Sequence, residues 1–326
     1  MKNQKYYWQL RQVLSQIAAF LAEHSLDPLH QRVIDRALGK LRENFLDDVI
    51  FPAMLVPTMT WKALDQAESE VLYVLNAAHY LFYAFLDLTD DVEDHELSDP
   101  LWRQLGEAIA INTGTSLLFA SQLILQRLLA LGIHQEQIAR LQMMFQLAGW
   151  KLTIGQHRDL ASGRYRDLSP ADVLKTHLLK TGTSVSLYFE SAAYLAGAKA
   201  QQLQDFAELG QNLGLMVQVS GDWLNLQASW SSDLANHCLN YPLAVLESVL
   251  PDCEQDIYLV AQENSPRDPA AQEIIRYLLK KHHIDQAVNQ ELDRLRKEVT
   301  TKIDALSKSG CQMKAIEALL ERFKGF

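Results

Sequence analysis

Residues 71–96 read VLYVLNAAHYLFYAFLDLTDDVEDHE, an apolar run of eighteen residues, Val71–Leu88, that ends in a crowd of carboxylates. A run that long with so few polar members is either a membrane span or the buried central helix of a large core. Asn76, His79 and the acids that follow favour the core helix. On an α-helix, Asp87, Asp90 or Asp91, and Asp94 stand at i, i+3 or i+4, and i+7, so they share one face. Acids placed that way repel one another unless a cation lies among them. Mg²⁺ takes oxygen ligands, commonly one or two carboxylates together with phosphate oxygens and water. The stretch therefore suggests a metal-bridged phosphate above an apolar pocket. The plainer alternative is a solvated helix end.

The rest of the chain is patterned as helix, with no alternating strand. Residues 4–23 and 28–46 predict two amphipathic helices parted at Ser25-Leu26-Asp27-Pro28. Residues 49–57, with two prolines, predict a helix start or a short connection, and 67–89 the central helix. Residues 101–131 predict one or two buried helices with a close approach at Gly114-Thr115-Ser116, followed by a helix over 135–160 and a charged loop over Ser162–Pro170. Residues 170–198 are apolar on most sides, as an interior helix is. A helix over 201–228, a loop over 229–242 and helices over 241–249, 269–282, 285–306 and 312–323 complete an all-α chain of ten or more mostly antiparallel helices. No proline- or serine-rich linker divides it, so one domain over 1–326 is expected.

A net charge of −10 without a Lys/Arg block argues against nucleic acid and anionic membranes as partners. Cys238, Cys253 and Cys311 are odd in number and widely spaced, as free thiols of a reducing compartment are. The opening MKNQKYYWQLRQVLSQ lacks the layout of a signal peptide. These features point to a soluble cytoplasmic protein with no integral membrane segment.

Five motifs then fall in an order that resembles the polyprenyl (isoprenyl diphosphate) synthase family. Asp90-Asp91-Val92-Glu93-Asp94 is similar to its first DDxxD motif, and Gly155-Gln156-His157-Arg158-Asp159-Leu160 to its GQxxDL. Lys180-Thr181-Gly182 is similar to its lysine–threonine motif. Gly214-Leu215-Met216-Val217-Gln218 with Gly221-Asp222-Trp223-Leu224-Asn225 resembles the second aspartate motif, and Asp233-Leu234 and Pro242 flank the loop behind it. The resemblance implies an isoprenoid synthase fold around a central apolar cavity, a homodimer, and Mg²⁺ held against the diphosphate of an allylic prenyl substrate. It implies Asp90, Asp91, Asp94 and Asp222 as metal ligands, with Asp90, Asp94, Lys180 and Asp222 catalytic. Gln156, Asp159, Lys180, Thr181 and Gln218 would line the diphosphate site. Phe82, Phe85 and Leu86, one to two turns below Asp90, would form the floor of a pocket for C10–C20 chains.

Departures from the family pattern concentrate where isopentenyl diphosphate would bind. Counted from Pro52, the family's early lysine and arginine become Asp48 and Phe51, with Gly39-Lys40-Leu41-Arg42 a substitute in a different register. The arginine pair after the first motif becomes Asp99-Pro100, and the late glycine–lysine becomes His237-Cys238. Each lost charge-assisted bond is worth about 1.5–3 kcal/mol. Arg158, Arg164, Arg166 and His177 are the cations that could compensate, and Arg276-Tyr277 is similar to a pair found in terpene cyclases. The expectation is Mg²⁺-dependent ionisation of an allylic diphosphate, followed by cyclisation or by transfer to an acceptor other than isopentenyl diphosphate. A peptide is one such acceptor, as in the peptide-pheromone branch that the chain resembles. The alternatives are a short-chain synthase that does use isopentenyl diphosphate, and a non-catalytic subunit of such a synthase.

Overall fold

The computed structural model describes residues 7–24, 27–46, 52–95, 101–162 and 168–321. Among these the chain is helical, without strands: α1 Tyr7–His24, α2 Pro28–Leu46, α3 Pro52–Ala63, α4 Glu70–Glu93, α5 Leu101–Leu105, α6 Glu107–Leu123 with a 3₁₀ continuation Ile124–Leu131, α7 Gln135–Ser162 and α8 Pro170–His177. A single π turn, Leu178–Gly182, leads into α9 Thr183–Leu195. Then come α10 Ala200–Gln227, α11 Ser232–Ala235, α12 Tyr241–Val249, α13 Asp252–Asn264, α14 Pro269–Lys281, α15 Ile284–Lys308 and α16 Lys314–Leu320. The contacts sort the chain into two compact units, each built from separate stretches.

The first unit takes in Met1–Leu147, Tyr188–Leu203 and Gly310–Ile316. Its axis is α4, in which every residue from Leu72 to Phe82 is buried, the mark of an interior helix. Helices α1, α2, α3 and α6 pack around it, as does the 3₁₀ continuation. Two stretches, Glu70–Glu93 and Glu107–Leu131, are long and apolar enough to cross a membrane by composition, but 72% of the α4 window is buried inside the protein. Gly114 on α6 is the close approach expected there, since a methyl group added to it would lie 2.9 Å from Thr89 Cγ2. The polar members of α4 find partners in the core. Asn76 Nδ2 donates to Thr58 Oγ1 at 3.0 Å, and His79 Nε2 lies 2.7 Å from Ser191 Oγ while the ring stacks on Phe145. Burial pushes the His79 pKa down to about 3, so the ring is neutral. Its Nδ1 is buried with no hydrogen-bond partner, so this core histidine is only half satisfied.

The second unit takes in Ala148–Leu187, Gln204–Ser309 and Glu317–Phe326. Helix α12 packs on α8, α14 and α15, and α13 on α14. Start signals are plain in the sequence. Ser169 and Asp172 form a capping box ahead of α8, and Asn240 and Asp268 cap α12 and α14. Helix α13 lies in a stretch where no helix is expected from the pattern. It buries only Tyr258 and Ala261, too few to make a visible apolar stripe, although Pro251 and the acids Asp252 and Glu254 in its first turn are start signals. The helix expected over 170–198 is instead interrupted by the π turn.

Candidate active site

The central helix runs on to Glu93, so Asp87, Asp90 and Asp91 all stand on α4, and Asp94 is its C-cap, donating its N–H to the Asp90 carbonyl at 2.8 Å. All four acids are half-buried. Lys40 of α2 lies 2.7 Å from Asp87 Oδ2 and 2.7 Å from Asp91 Oδ2, so its ammonium joins two acids one turn apart. Below the acids, Phe82 is fully buried with its ring 5.5 Å from Phe145 and 5.9 Å from Phe85. Phe85 and Leu86 keep part of their surface exposed.

Among the described residues no three histidine, cysteine or carboxylate side chains are gathered as a ready-made metal cage. Mg²⁺ does not require one, because phosphate oxygens and water complete its octahedron. Two hard oxygen donors, Asp90 and Asp94, at i and i+4 on the last turn of a buried helix fit an ion that arrives with a diphosphate.

The other motifs meet in the second unit, and glycines explain how. A Cβ on Gly155 of α7 would lie 2.8 Å from the backbone of Leu179 and Lys180. A Cβ on Gly214 of α10 would lie 2.6 Å from Thr181 O and 2.7 Å from Gly182 Cα. The motif glycines thus let α7 and α10 close on the π turn that carries Lys180 and Thr181, and such turns recur at functional sites. Gly214→Ala is expected to lower stability by about 1–3 kcal/mol, the cost of overpacking against backbone that cannot step aside. Thermal unfolding of the purified variant checks this, and an unchanged Tm would refute the tight crossing.

On that crossing Lys180 Nζ pairs with Asp159 at 2.9 Å. Thr181 Oγ1 donates to Gln218 Oε1, and Gln218 Nε2 donates to Asp222 Oδ1 at 3.0 Å. Asp222 Oδ2 accepts from the Tyr241 N–H at 3.1 Å and lies 2.8 Å from His177 Nε2. Asp222 is 4% and His177 2% exposed. Burial alone would pull the His177 pKa down and the Asp222 pKa up. The ion pair and its hydrogen bond outweigh it, so His177 is raised and Asp222 lowered from their ordinary values. Burial, with the like charge of Asp222, pushes Asp233 up to about 6, although Asn240 Nδ2 donates to it at 2.8 Å.

Gln156 and Asp159 stand half-buried one turn apart on α7. Asn225 receives the Ser231 hydroxyl and the Asp233 N–H on Oδ1 and donates to Ser232 Oγ at 2.8 Å, so it holds α11. Two candidate cations are engaged structurally. Arg158 donates to Thr176 Oγ1 and to the Asp172 carbonyl, and Arg276 donates to the Leu226 and Ala228 carbonyls at the end of α10. Arg276 therefore acts as a helix C-cap at the end of α10. His237 takes a left-handed backbone, φ 55°, and the Cys238 N–H donates to the Asp233 carbonyl. Asp48, Phe51, Asp99, Pro100, Arg164 and Arg166 lie outside the described residues. His177, one of the cations the sequence offers as a replacement clamp, is instead the partner of Asp222, a pairing that the sequence does not indicate.

Known proteins bear these motifs out at the level of family and fold. The sequence profile described as polyprenyl synthetase matches residues 51–237, more than half of the chain. A farnesyl diphosphate synthase of Geobacillus stearothermophilus is 30% identical over 152 residues, which cover 42% of this chain and 49% of that enzyme. The match thus spans about half the length of that relative. The structure resembles a geranylgeranyl pyrophosphate synthetase from Pyrococcus horikoshii Ot3, with a TM-score of 0.76 and 18% identity over 99% of this chain and 100% of that one. It also resembles a polyprenyl synthase from Caulobacter crescentus CB15 complexed with calcium and isoprenyl diphosphate, with a TM-score of 0.75 and 17% identity over 93% and 90%. At those identities the structures speak for the fold, and the profile for the family. The chain belongs to the polyprenyl synthetase family and has its all-α isoprenoid synthase fold.

Proposed function

We propose that the protein is a class I prenyltransferase that lengthens an allylic prenyl diphosphate with isopentenyl diphosphate, as a short-chain polyprenyl diphosphate synthase. The observation that carries this reading is the half-buried acidic last turn of α4, set at the end of an apolar helix that is buried throughout from Leu72 to Phe82. The farnesyl diphosphate synthase relative and the isoprenyl diphosphate held by the Caulobacter enzyme support it. When bound, Mg²⁺ would neutralise the departing pyrophosphate, and Asp90 and Asp94 would hold it, with Asp91 in support. Lys180 offers its ammonium to the diphosphate as a point charge, kept in place by Asp159. Gln156, Thr181 and Gln218 orient the same group by hydrogen bonds. Phe85 and Leu86, with Phe82 behind them, give the prenyl tail an apolar wall, shield the allylic cation from water and limit the chain to C10–C20. The protein is proposed to act as one domain over 1–326, in the cytoplasm, as a homodimer. Exposed Phe119 and Leu123 on α6, with Met143 and Leu147 on α7, supply apolar surface on the first unit for a second copy.

A second reading keeps the ionisation but hands the prenyl group to another acceptor, a peptide among them, or closes it on itself. It is favoured by the state of the cations: Lys40, the substitute for the family's early lysine, is paired with Asp87 and Asp91, and Arg158 and His177 are engaged elsewhere. Incubation with Mg²⁺, C10, C15 or C20 allylic diphosphate and labelled isopentenyl diphosphate separates the readings. A longer labelled prenyl diphosphate is the expected product. Pyrophosphate released without label incorporation supports the second reading. No pyrophosphate from any allylic diphosphate would leave a non-catalytic subunit.

A further inference from the structure

Helix α14 carries two residues, outside the five motifs, that grip the connection between α10 and α12. Gln272 is fully buried. Its Oε1 accepts from the Ser231 N–H at 2.9 Å and from the Arg276 guanidinium at 3.1 Å, and its Nε2 donates to the Ser231 and Ser265 carbonyls at 3.2 and 3.1 Å. One side chain thus takes both backbone groups of Ser231, itself fully buried, where an unpaired N–H would be costly. Arg276, one turn on, donates to the Leu226 carbonyl at 2.8 Å and the Ala228 carbonyl at 2.6 Å. From this grip hydrogen bonds lead inward. The Ser231 hydroxyl donates to Asn225, whose Oδ1 also accepts the Asp233 N–H. Asp233 accepts from Asn240, and Asn240 caps α12 by accepting the Leu243 N–H at 3.1 Å. The next N–H, of Tyr241, reaches Asp222, which accepts from Gln218, which in turn accepts from Thr181 on the π turn. All of these residues lie in the second unit.

We infer that Gln272 and Arg276 are positioning residues of the diphosphate site proposed above, an assignment that rests on that reading. Their donors go to backbone carbonyls, to each other and to Glu273, so they act through the connection and not on the ligand. They hold the segment between α10 and α12 in one arrangement. Through Asn225, Asn240 and the Tyr241 N–H, that arrangement keeps Asp222, Gln218 and Thr181 in register. Binding groups fixed in advance lose less freedom when a ligand arrives, and a misplacement of about 1 Å costs of order 10²-fold.

Calorimetric titration of the full chain with inorganic pyrophosphate and Mg²⁺ tests this without turnover. Arg276→Met is expected to raise the pyrophosphate dissociation constant at least about tenfold, and Arg276→Lys, which keeps a donor for one carbonyl, by about threefold or less. Gln272→Met should act in the same direction, and the double variant no more than the stronger single, because both work through one connection. With an allylic diphosphate the change should fall on KM, with kcat kept within about threefold, as for binding that ground and transition states share. Lys302→Met is the control for stability alone. It breaks the pairing of Asp205 and Glu208 on α10 with α15 in the same unit, and should lower Tm while leaving the dissociation constant within about twofold. An Arg276→Met protein with wild-type affinity, or one weakened no more than the control, overturns the inference and leaves the proposed function standing. A wild type that binds pyrophosphate but releases none from any allylic diphosphate sinks the proposed function, and the binding series still decides the positioning role. A wild type with no affinity for pyrophosphate sinks both. If either methionine variant does not fold, Arg276→Gln takes its place with the same outcomes.

Discussion

Alanine at Asp90 or at Asp94 is expected to lower the rate of pyrophosphate release by about 10²–10³-fold, the scale seen when one electrostatic stabiliser of a developing anion is removed. The physical reason is the leaving group. Ionising an allylic diphosphate leaves negative charge on the pyrophosphate, which bound divalent ions would neutralise. In the proposed mechanism the acids of α4 would hold those ions. The fold should not suffer, because both positions are half-buried and α4 closes with a backbone hydrogen bond from Asp94 N–H to the Asp90 carbonyl that alanine retains. Removing one of several like charges on a helix face should if anything raise Tm slightly. Pyrophosphate release at saturating Mg²⁺, read beside circular dichroism, is the measurement. Two alanine variants that turn over at wild-type rate would remove the acidic turn from the mechanism.

The second large effect is on stability. Asp222→Ala or His177→Ala leaves one charged group buried without its counterion, a change that costs roughly 3–5 kcal/mol in comparable sites. On a chain of this size that is a fall in Tm of order 10 °C. The pair also sets a pH dependence. His177 is raised above its ordinary 6.5, so its share of stability is complete below that value and is lost as pH rises through the folded-state pKa. Asp222 is lowered below 3.8, so its share is present above that value and is lost as pH falls through the folded-state pKa. Wild-type Tm should therefore decline as pH rises above 6.5 and through the raised His177 pKa. The double variant His177→Gln/Asp222→Asn carries no charge at the pair and should lose that slope. A wild-type profile that matches the double variant from pH 6 to 9 would show that the pair is not ionised as described.

Much of the site is legible in the chain itself. The run ending at Asp94 announces a core helix with acids at its end, and the order of the GQxxDL-like, Lys-Thr-Gly and Gly-Asp-Trp-Leu-Asn stretches is a property of the residues alone. The roles of Gly155 and Gly214 are not legible there. A glycine within a helical pattern carries no mark of whether backbone or solvent lies opposite, and here it is the backbone of the π turn. That turn is equally hidden, because Leu178–Gly182 has the composition of ordinary helix. Arg276 shows the converse case: with Tyr277 it is similar to a pair found in terpene cyclases, but the end of α10 leaves carbonyls bare and the guanidinium caps them.

Sequence alone determined the family of this protein and its all-helical character, because motif order and periodicity suffice for those. Only the tertiary structure decided which charges are engaged. His177 and Asp222 are 45 residues apart, and Lys40 and Asp91 are 51 apart. Nothing in the spacing along one helix indicates which cation another helix will bring to an acid. The answer depends on how α2 lies along α4 and how α8 lies along α10 and α12, and that is set by the burial of apolar faces rather than by the charges themselves.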